Sequence, residues 1–341
     1  MTAGAAKKKI TLALQGGGSH GAFTWGVLET LLADERLEIE GLSGCSAGAM
    51  NATVMAEGLM QNGRQGALDS LERFWTSVSR AGRFAPMIRT PLDVAADRWN
   101  MEVQPGYLLF DLVSRFLSPY QFNPLNFNPL LDILDNEVDF DLVRRCDRVK
   151  LFISATNVAT GKIRVFRNHE LTPKAVMASA CLPHLFQAVE IDGQPYWDGG
   201  YMGNPALYPL IYNCESRDIV IVQINPIERY EEPTTTPEIV DRLNEITFNS
   251  TLMREVRAIH FVGKLLAHHQ VDPQDYKQVL LHRVSVPEEM RAFTAPSKLN
   301  ADWSFISHLR EIGQEHAKAW LEANYDALNE RTSIDIESDY L

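Results

Sequence analysis

Two short glycine-rich segments near the start of the chain constrain its fold most strongly. Each segment directly follows a strand-like run, Ile10–Leu14 or Ile39–Gly44, and each opens a helix-like run. The segments are Gly16-Gly17-Gly18-Ser19-His20-Gly21 and Gly44-Cys45-Ser46-Ala47-Gly48. Strand and helix signals that alternate in this way predict an α/β fold with a mostly parallel sheet.

Composition excludes several classes of protein. With 341 residues and 45% hydrophobic content, the chain is long enough to bury the core of one large α/β unit. A net charge of −12 argues against binding to nucleic acid and against electrostatic attraction to anionic lipid. The apolar stretch after Lys7–Lys9 is too short for the core of a signal peptide, so we expect a cytoplasmic location that allows peripheral contact with membranes.

The four cysteines show neither a zinc-binding nor a disulfide pattern. They are Cys45, Cys146, Cys181 and Cys214, far apart and without CxxC spacing. This usage is typical of a reducing compartment and suggests no metal site.

The second glycine segment fits GxSxG, the nucleophile elbow. In this motif a serine lies on a strained strand-to-helix turn that exposes its hydroxyl, and the flanking glycines are needed because other residues come too close. Ser46 is therefore a candidate nucleophile, flanked by Gly44 and Gly48. Its neighbour Cys45 is expected to be a packed residue of the turn and not a second nucleophile.

The first glycine segment allows two interpretations. Gly16, Gly18 and Gly21 satisfy GxGxxG, the dinucleotide fingerprint, but that motif requires an acidic residue at the end of the next strand. Here the next strand ends in the Ser46 segment, and no Gly-Lys-Ser/Thr follows that would make a P-loop. The alternative is a loop that points backbone N–H groups at an oxyanion beside Ser46.

The position of Ser46 in the chain argues against an α/β-hydrolase. In that fold several strands precede the elbow, whereas only one or two strands fit before Ser46. A Ser-His-Asp triad remains a secondary hypothesis. Its base would be one of His169, His184, His260, His268, His269, His282, His308 and His316, none of which lies in a recognisable motif.

Further elements follow along the chain. Strands are predicted at Val149–Ala155, Ile163–Phe166, Ile219–Ile224 and Val279–Val286, and helices at Ala22–Ala33, Ala47–Leu59, Ala67–Val78, Ala175–Cys181, Thr236–His269 and Trp303–Leu328. The segment Glu190–Trp197 contains a predicted turn at Asp192-Gly193 and leads directly into Asp198. We expect a single domain over residues 1–341, with its core at about 10–212 and residues 213–330 packed on the same unit. The proline-rich middle, residues 80–147, is where a mobile cover over the site is expected.

With these motifs in place, the chain resembles the patatin-like phospholipases, and in particular their bacterial members. The resemblance rests on the glycine loop Gly16–Gly21, the Ser46 elbow and the later segment Asp198-Gly199-Gly200, in this order. It continues through Ser118-Pro119-Tyr120, the following pair of Asn-Pro turns, and Ala178–Pro183.

The resemblance implies a three-layer α/β/α sandwich, a lipid ester as substrate, and no metal or cofactor. It implies that Ser46 is the nucleophile, that Asp198 accepts its proton without any histidine, and that the backbone N–H groups of Gly16, Gly17 and Gly18 form the oxyanion hole. One departure is His20, since the family usually has Arg or Lys before the last glycine of the loop. We expect His20 to make a local hydrogen bond in the first turn of the helix.

These observations predict a carboxylic ester hydrolase of the phospholipase A, lysophospholipase or esterase type. Two alternatives remain open. One is an acyltransferase that uses the same acyl-enzyme, and the other is a nucleotide-binding regulatory module that uses the GxGxxG loop.

Overall fold

The computed structural model describes residues 7–82, 99, 116–291 and 293–341. Within this part of the chain, eight strands form one sheet. They are β1 Lys8–Leu14, β2 Leu37–Gly44, β3 Lys150–Asn157, β4 Ile163–Arg167, β5 Val189–Ile191, β6 Gln194–Asp198, β7 Asp218–Gln223 and β8 Leu280–Ser285.

The central strands of the sheet run parallel. The strand order is β5-β6-β3-β2-β1-β7-β8, and β4 pairs with β3 outside this order. The strands β3, β2, β1, β7 and β8, which are neighbours in this order, pair in parallel. Strands β4 and β6 are antiparallel to β3, and β5 is antiparallel to β6. The carboxyl ends of β1 and β2 lie side by side, with Leu14 opposite Gly44. The two glycine segments that follow these strands are therefore neighbours.

The helices of the described residues cover both faces of the sheet. They are α1 Gly21–Ala33, α2 Ala47–Gly82, α3 Pro119–Phe122, α4 Pro129–Glu137, α5 Phe140–Arg144, α6 Pro173–Ser179, α7 Tyr208–Asn213, α8 Thr236–Ala267, α9 Glu288–Arg291, α10 Trp303–Asn324 and α11 Ile336–Tyr340. Several begin with a side-chain cap; Asn128, for example, accepts a hydrogen bond from Leu131 N at the start of α4.

Two apolar clusters, one on each face, define the layers. In β1, Leu12 and Leu14 belong to the cluster formed with α1, α2 and α10, whereas Ala13 belongs to the cluster formed with α7, α8 and α11. This alternation follows from the two-residue period of a strand. The predicted three-layer α/β/α sandwich with a mostly parallel sheet is confirmed.

Helices α1 and α10 cross in backbone contact. A Cβ atom on Gly26 would lie 2.0 Å from the carbonyl oxygen of Arg310, and one on Gly313 would lie 2.1 Å from that of Phe23. The Arg310 guanidinium also donates two hydrogen bonds of 2.7 Å to the Glu29 carboxylate on α1. Helix α10 is thus packed directly on α1, the helix that follows the first glycine loop.

The predicted elements correspond to observed ones, with differences at their ends. The two helices predicted after Ser46 are the halves of α2, which is interrupted by non-helical backbone at Asn62 and Gly63. The helix predicted at Trp303–Leu328 ends at Asn324, and a short 3₁₀ turn follows at Tyr325–Ala327.

Residues 80–147, where a cover over the site was expected, lie partly outside the described residues, which omit 83–98 and 100–115, and most of the apolar run Tyr107–Leu117 lies outside them as well. None of the described helices combines the length and the hydropathy needed to cross a membrane.

Candidate active site

Ser46 lies on the turn between β2 and α2, in a strained backbone conformation. Its φ angle is +51°, a region that residues other than glycine rarely adopt. Ser46 is half-buried, whereas Cys45 and Ala47 on either side are buried. The turn packs tightly against the end of β1, because a Cβ atom on Gly48 would lie 2.2 Å from the carbonyl oxygen of Leu14. This geometry is that of a nucleophile elbow.

The first glycine loop packs directly on Ser46. A Cβ atom on Gly16 would lie only 2.7 Å from the Ser46 Cβ, so the close approach of the two turns requires glycine at this position. At the far end of the loop, a Cβ atom on Gly21 would lie 2.6 Å from the Ala47 Cβ. The loop and the elbow thus form one unit at the carboxyl ends of β1 and β2.

Asp198 ends β6 and is held in place through its main chain. It pairs with Ala155 of β3, and its N–H donates a hydrogen bond of 2.8 Å to the carbonyl oxygen of Cys181. The Thr156 hydroxyl donates one of 2.8 Å to the Asp198 carbonyl oxygen. The next residue, Gly199, is pressed against β3, since a Cβ atom there would lie 2.1 Å from the Ser154 carbonyl oxygen.

The Asp198 carboxyl group is buried and lies beside Ser46. Its Oδ1 accepts a hydrogen bond of 2.7 Å from Gly200 N and one of 3.4 Å from the Cys45 Sγ. Burial raises the pKa of Asp198 to about 6, while hydrogen bonds from Gly200, Cys45 and the Ser46 side chain act in the opposite direction. The structure therefore brings together the two residues that the sequence placed in separate motifs.

The carboxyl end of α6 and the residues after it support both Ser46 and Asp198. Sequence reasoning missed this role. The Ser179 hydroxyl accepts a hydrogen bond of 2.9 Å from Ser46 N, and the Cys181 carbonyl oxygen accepts the one from Asp198 N. Both residues lie in the segment 178–183 that contributed to the family resemblance. That similarity was the only signal that could have pointed to them.

The oxyanion-hole prediction needs a correction at Gly16. Its N–H already donates a hydrogen bond of 2.7 Å to Asn204 Oδ1, so it is not a free donor. Among the described residues, no acceptor is found for the N–H groups of Gly17 and Gly18, which are half-buried and exposed, respectively. Of the three predicted donors, only the N–H groups of Gly17 and Gly18 are therefore left without an acceptor among the described residues.

Buried amide side chains fix the conformation of the loop. Asn225 Nδ2 donates a hydrogen bond of 2.7 Å to the Gly16 carbonyl oxygen, and Gln15 Oε1 accepts one of 2.9 Å from Asn225 N. Lys298 Nζ donates one of 2.8 Å to Asn225 Oδ1. These residues lie far apart in the chain and belong to no motif, so no local pattern could have indicated them.

His20 makes a long-range hydrogen bond and not the local one predicted. Its Nε2 lies 2.7 Å from the Ser297 hydroxyl, and its ring is buried. Burial, assisted by the positive charge of Lys298, lowers the pKa of His20 to about 3. His20 is therefore uncharged at neutral pH, and the basic side chain next to the loop is Lys298, whose own pKa is lowered by burial.

Among the described residues, the hydrogen bonds of Ser46 and Asp198 involve no histidine. His282 comes nearest to a triad, with Nε2 2.9 Å from Asp218 Oδ1 and Nδ1 2.9 Å from the Ser333 hydroxyl. However, Asp218 begins β7, so this cluster lies at the amino end of the parallel strands, opposite Ser46. His260 faces Glu337, and His308 stacks on Trp99.

Comparisons with known proteins agree with this geometry. The family model described as patatin-like phospholipase matches residues 12–211, more than half of the chain. No curated protein matches the sequence. The matched region contains Ser46, Asp198 and the glycine loop.

Solved structures show low overall similarity. The crystal structure of VipD from Legionella pneumophila is 14% identical over 93% of this chain and 67% of that chain, with a TM-score of 0.45. The heterodimeric ExoU–SpcU complex from the type III secretion system of Pseudomonas aeruginosa is 17% identical over 94% of this chain, with a TM-score of 0.39. The crystal structure of the type III effector protein ExoU is 14% identical over 93% of this chain, with a TM-score of 0.35. This chain spans about half of the last two, 52% and 54% of their lengths.

Proposed function

The chain belongs to the patatin-like phospholipase family, and we propose that it hydrolyses ester bonds of lipids through an acyl-enzyme on Ser46, with Asp198 as the proton acceptor. The observation that carries this proposal is the strained, half-buried Ser46 beside the buried carboxyl group of Asp198. The substrates that fit are phospholipids, lysophospholipids and simple esters.

The first half of the reaction acylates Ser46. The Asp198 carboxylate takes the hydroxyl proton as Ser46 Oγ attacks the ester carbonyl carbon, and the carbonyl oxygen becomes an oxyanion. The N–H groups of Gly17 and Gly18 stabilise this charge, assisted by the amino end of α1. When the tetrahedral intermediate collapses, the C–O bond of the ester breaks and the alcohol leaves with the proton from Asp198.

The second half releases the acid. Asp198, again a carboxylate, takes a proton from water, and the hydroxide attacks the acyl carbon of the Ser46 ester. The bond to Ser46 Oγ then breaks, and the proton returns to Oγ. Gly200 N and Cys45 Sγ both donate to Oδ1, which supports Oδ2 as the oxygen that exchanges the proton with Ser46.

A raised pKa suits Asp198 for this role. A carboxylate with an ordinary pKa is a weak base toward a serine hydroxyl, whereas a pKa of about 6 leaves the group ionised at neutral pH and makes it a stronger base. Burial also removes water that would compete for the proton.

The surroundings of Gly16 disfavour a nucleotide-binding role for the first glycine loop. Gly16 is covered by Ser46 on one side and hydrogen-bonded to Asn204 and Asn225 on the other.

The test combines substitution with chemical labelling. We expect Ser46→Ala and Asp198→Asn each to reduce turnover of a monomeric short-chain ester by about a thousandfold or more. A fluorophosphonate probe should label the wild-type protein, with the label mapped to Ser46 by mass spectrometry. Unchanged melting temperatures of both variants would exclude unfolding as the cause.

Two results would contradict the proposal. Full turnover by the folded Asp198→Asn variant would exclude Asp198 as the base, and labelling at another residue would exclude Ser46 as the nucleophile. Product analysis in the presence of a lysophospholipid or an alcohol distinguishes the acyltransferase alternative, because transfer yields a new ester in place of the free acid.

A further inference from the structure

The segment that leads into α4 exposes an unusual number of large apolar side chains. Between Phe116 and Leu131 the chain has no charged residue, although 22% of the whole sequence is charged. The exposed residues, called here the apolar rim, are Phe116, Leu117, Tyr120, Leu125 and Phe127. Leu125 is 92% exposed and Phe127 is 67% exposed. Contiguous exposed apolar surface of this kind marks an interaction site.

The rim is displayed by an ordered loop. The Asn123 side chain holds Phe127 through two hydrogen bonds, with Oδ1 accepting from Phe127 N and Nδ2 donating to the Phe127 carbonyl oxygen, each 2.9 Å long. Asn126 N donates one of 3.0 Å to the Asn123 carbonyl oxygen, and Asn126 has a φ of +52°. The backbone of this turn is therefore hydrogen-bonded, while Leu125 at its tip and Phe127 point into solvent.

The rim is connected to the candidate active site by hydrogen bonds. The Tyr120 hydroxyl accepts one of 3.2 Å from Ala188 N, and Gln187 Nε2 donates one of 2.7 Å to the Asn123 carbonyl oxygen. The Gln187 carbonyl oxygen in turn accepts one of 3.1 Å from the Cys181 Sγ. Since the Cys181 carbonyl oxygen binds Asp198 N, the loop that carries the rim adjoins the support of the proposed base.

We propose that the apolar rim docks the protein on the surface of a zwitterionic phospholipid membrane. The inference rests on the proposed function in one respect, that the substrate is a lipid whose acyl chains must leave a bilayer to reach Ser46. Leu, Phe and Tyr side chains on an uncharged loop match the boundary between headgroups and acyl chains. An uncharged rim on a chain of net charge −12 favours a neutral surface over an anionic one.

Vesicle binding tests the surface separately from catalysis. The Ser46→Ala variant is used for binding, so that no products alter the membrane. We expect it to co-sediment with phosphatidylcholine vesicles, and the bound fraction to change little between low and high salt because no charged group lies in the rim. Adding Leu125→Ser and Phe127→Ser should lower the vesicle partition coefficient about tenfold or more, since two apolar side chains no longer insert.

Phe261→Ser is the matched control. Phe261 is also an exposed phenylalanine, 62% accessible, but it lies in the carboxyl-terminal half of α8, 13 residues beyond Phe248, the residue of this helix that packs near Gly200. We expect Phe261→Ser to bind vesicles like its parent. In the background with an intact Ser46, the ratio of vesicle hydrolysis to monomeric-ester hydrolysis should fall about tenfold for Leu125→Ser/Phe127→Ser and not for Phe261→Ser.

Three results would overturn the docking surface. One is vesicle binding by the double variant as strong as that of its parent; another is an equal loss in Phe261→Ser. The third is a change from dimer to monomer caused by the double substitution, which would assign the rim to a second copy of the chain. Rim-dependent vesicle binding by a wild-type protein that hydrolyses no ester would instead refute the proposed function and leave the docking surface standing.

Discussion

At the scale of single residues, the proposed function depends on the protonation state of Asp198. No Lys or Arg of the described residues forms an ion pair with Asp198, so only hydrogen bonds stabilise the charged form in this buried position. The raised pKa means that the folded protein holds this proton more tightly than the unfolded chain does. Ionisation of Asp198 therefore opposes folding, and stability from this group falls as pH rises from about 4 toward 6.

Activity is expected to have the opposite pH dependence. The proposed base must be a carboxylate, so kcat/KM for a monomeric ester should rise as pH increases and reach half its maximum near pH 6. The measurement is a pH profile of initial rates on folded protein. A profile that stays flat down to pH 4.5, about one and a half units below the expected midpoint, would show that Asp198 is not the base.

Cys45 provides a second test of the same carboxyl group. Its thiol hydrogen bond lowers the pKa of Asp198, so Cys45→Ala should move the midpoint of the profile to higher pH. The matched control is Cys45→Ser, which keeps a donor and should leave the midpoint at or below that of the wild type. An unchanged or lower midpoint in Cys45→Ala would contradict a role of the thiol in positioning and stabilising the charge.

At the scale of elements, the sequence did not reveal the contact between α1 and α10, in which the two helix backbones touch. The sequence predicted both helices from their apolar spacing, but it did not show that Gly26 and Gly313 allow the two backbones to touch. The β5–β6 hairpin is a second case. Its turn at Asp192-Gly193 was predicted, whereas only the pairing of β6 with β3 decides that Asp198 lies opposite Ala155.

Alanine substitution of two helical glycines separates packing from helix propensity. A Cβ atom on Gly313 meets the Phe23 carbonyl oxygen, so Gly313→Ala should force α10 away from α1 and lower the free energy of unfolding by about 1–3 kcal/mol. At Gly263 in α8, no atom lies within 4 Å of such a Cβ. Gly263→Ala should therefore raise the free energy of unfolding by up to about 1 kcal/mol. Urea denaturation measures both, and equal stability of the two variants would refute the packing argument.

At the scale of the whole molecule, the site depends on residues beyond the region matched by the family model. That match ends at residue 211, yet Asn225 and Lys298 hold the first glycine loop, and β7 and β8 extend the sheet beside β1. The last helix, α11, closes the second apolar cluster with Tyr340, whose hydroxyl donates a hydrogen bond of 2.7 Å to Gln223 Oε1 at the end of β7.

Removal of the Tyr340 side chain should therefore affect the stability of the entire fold. Tyr340 is 1% exposed, and Tyr340→Ala is expected to lower the free energy of unfolding by about 3–5 kcal/mol through the cavity it leaves. Tyr276, which is 46% exposed, is the control. Tyr276→Ala should change the free energy of unfolding by less than about 0.5 kcal/mol. Similar denaturation curves for the two variants would show that the C-terminal helix contributes little to the common core.

The sequence by itself determined the strand-turn-helix units, the two glycine turns and the candidate residues Ser46 and Asp198. Periodicity, turn residues and glycine requirements depend on neighbours in the chain, so one sequence can reveal them. Only the tertiary structure decided that Asn204 accepts the hydrogen bond of Gly16 N, that Ser179 and Cys181 support Ser46 and Asp198, and that Lys298 is the basic side chain bonded to Asn225 beside the loop. These contacts join residues that are far apart in the chain, and their partners are set by strand order and register, which no local pattern encodes.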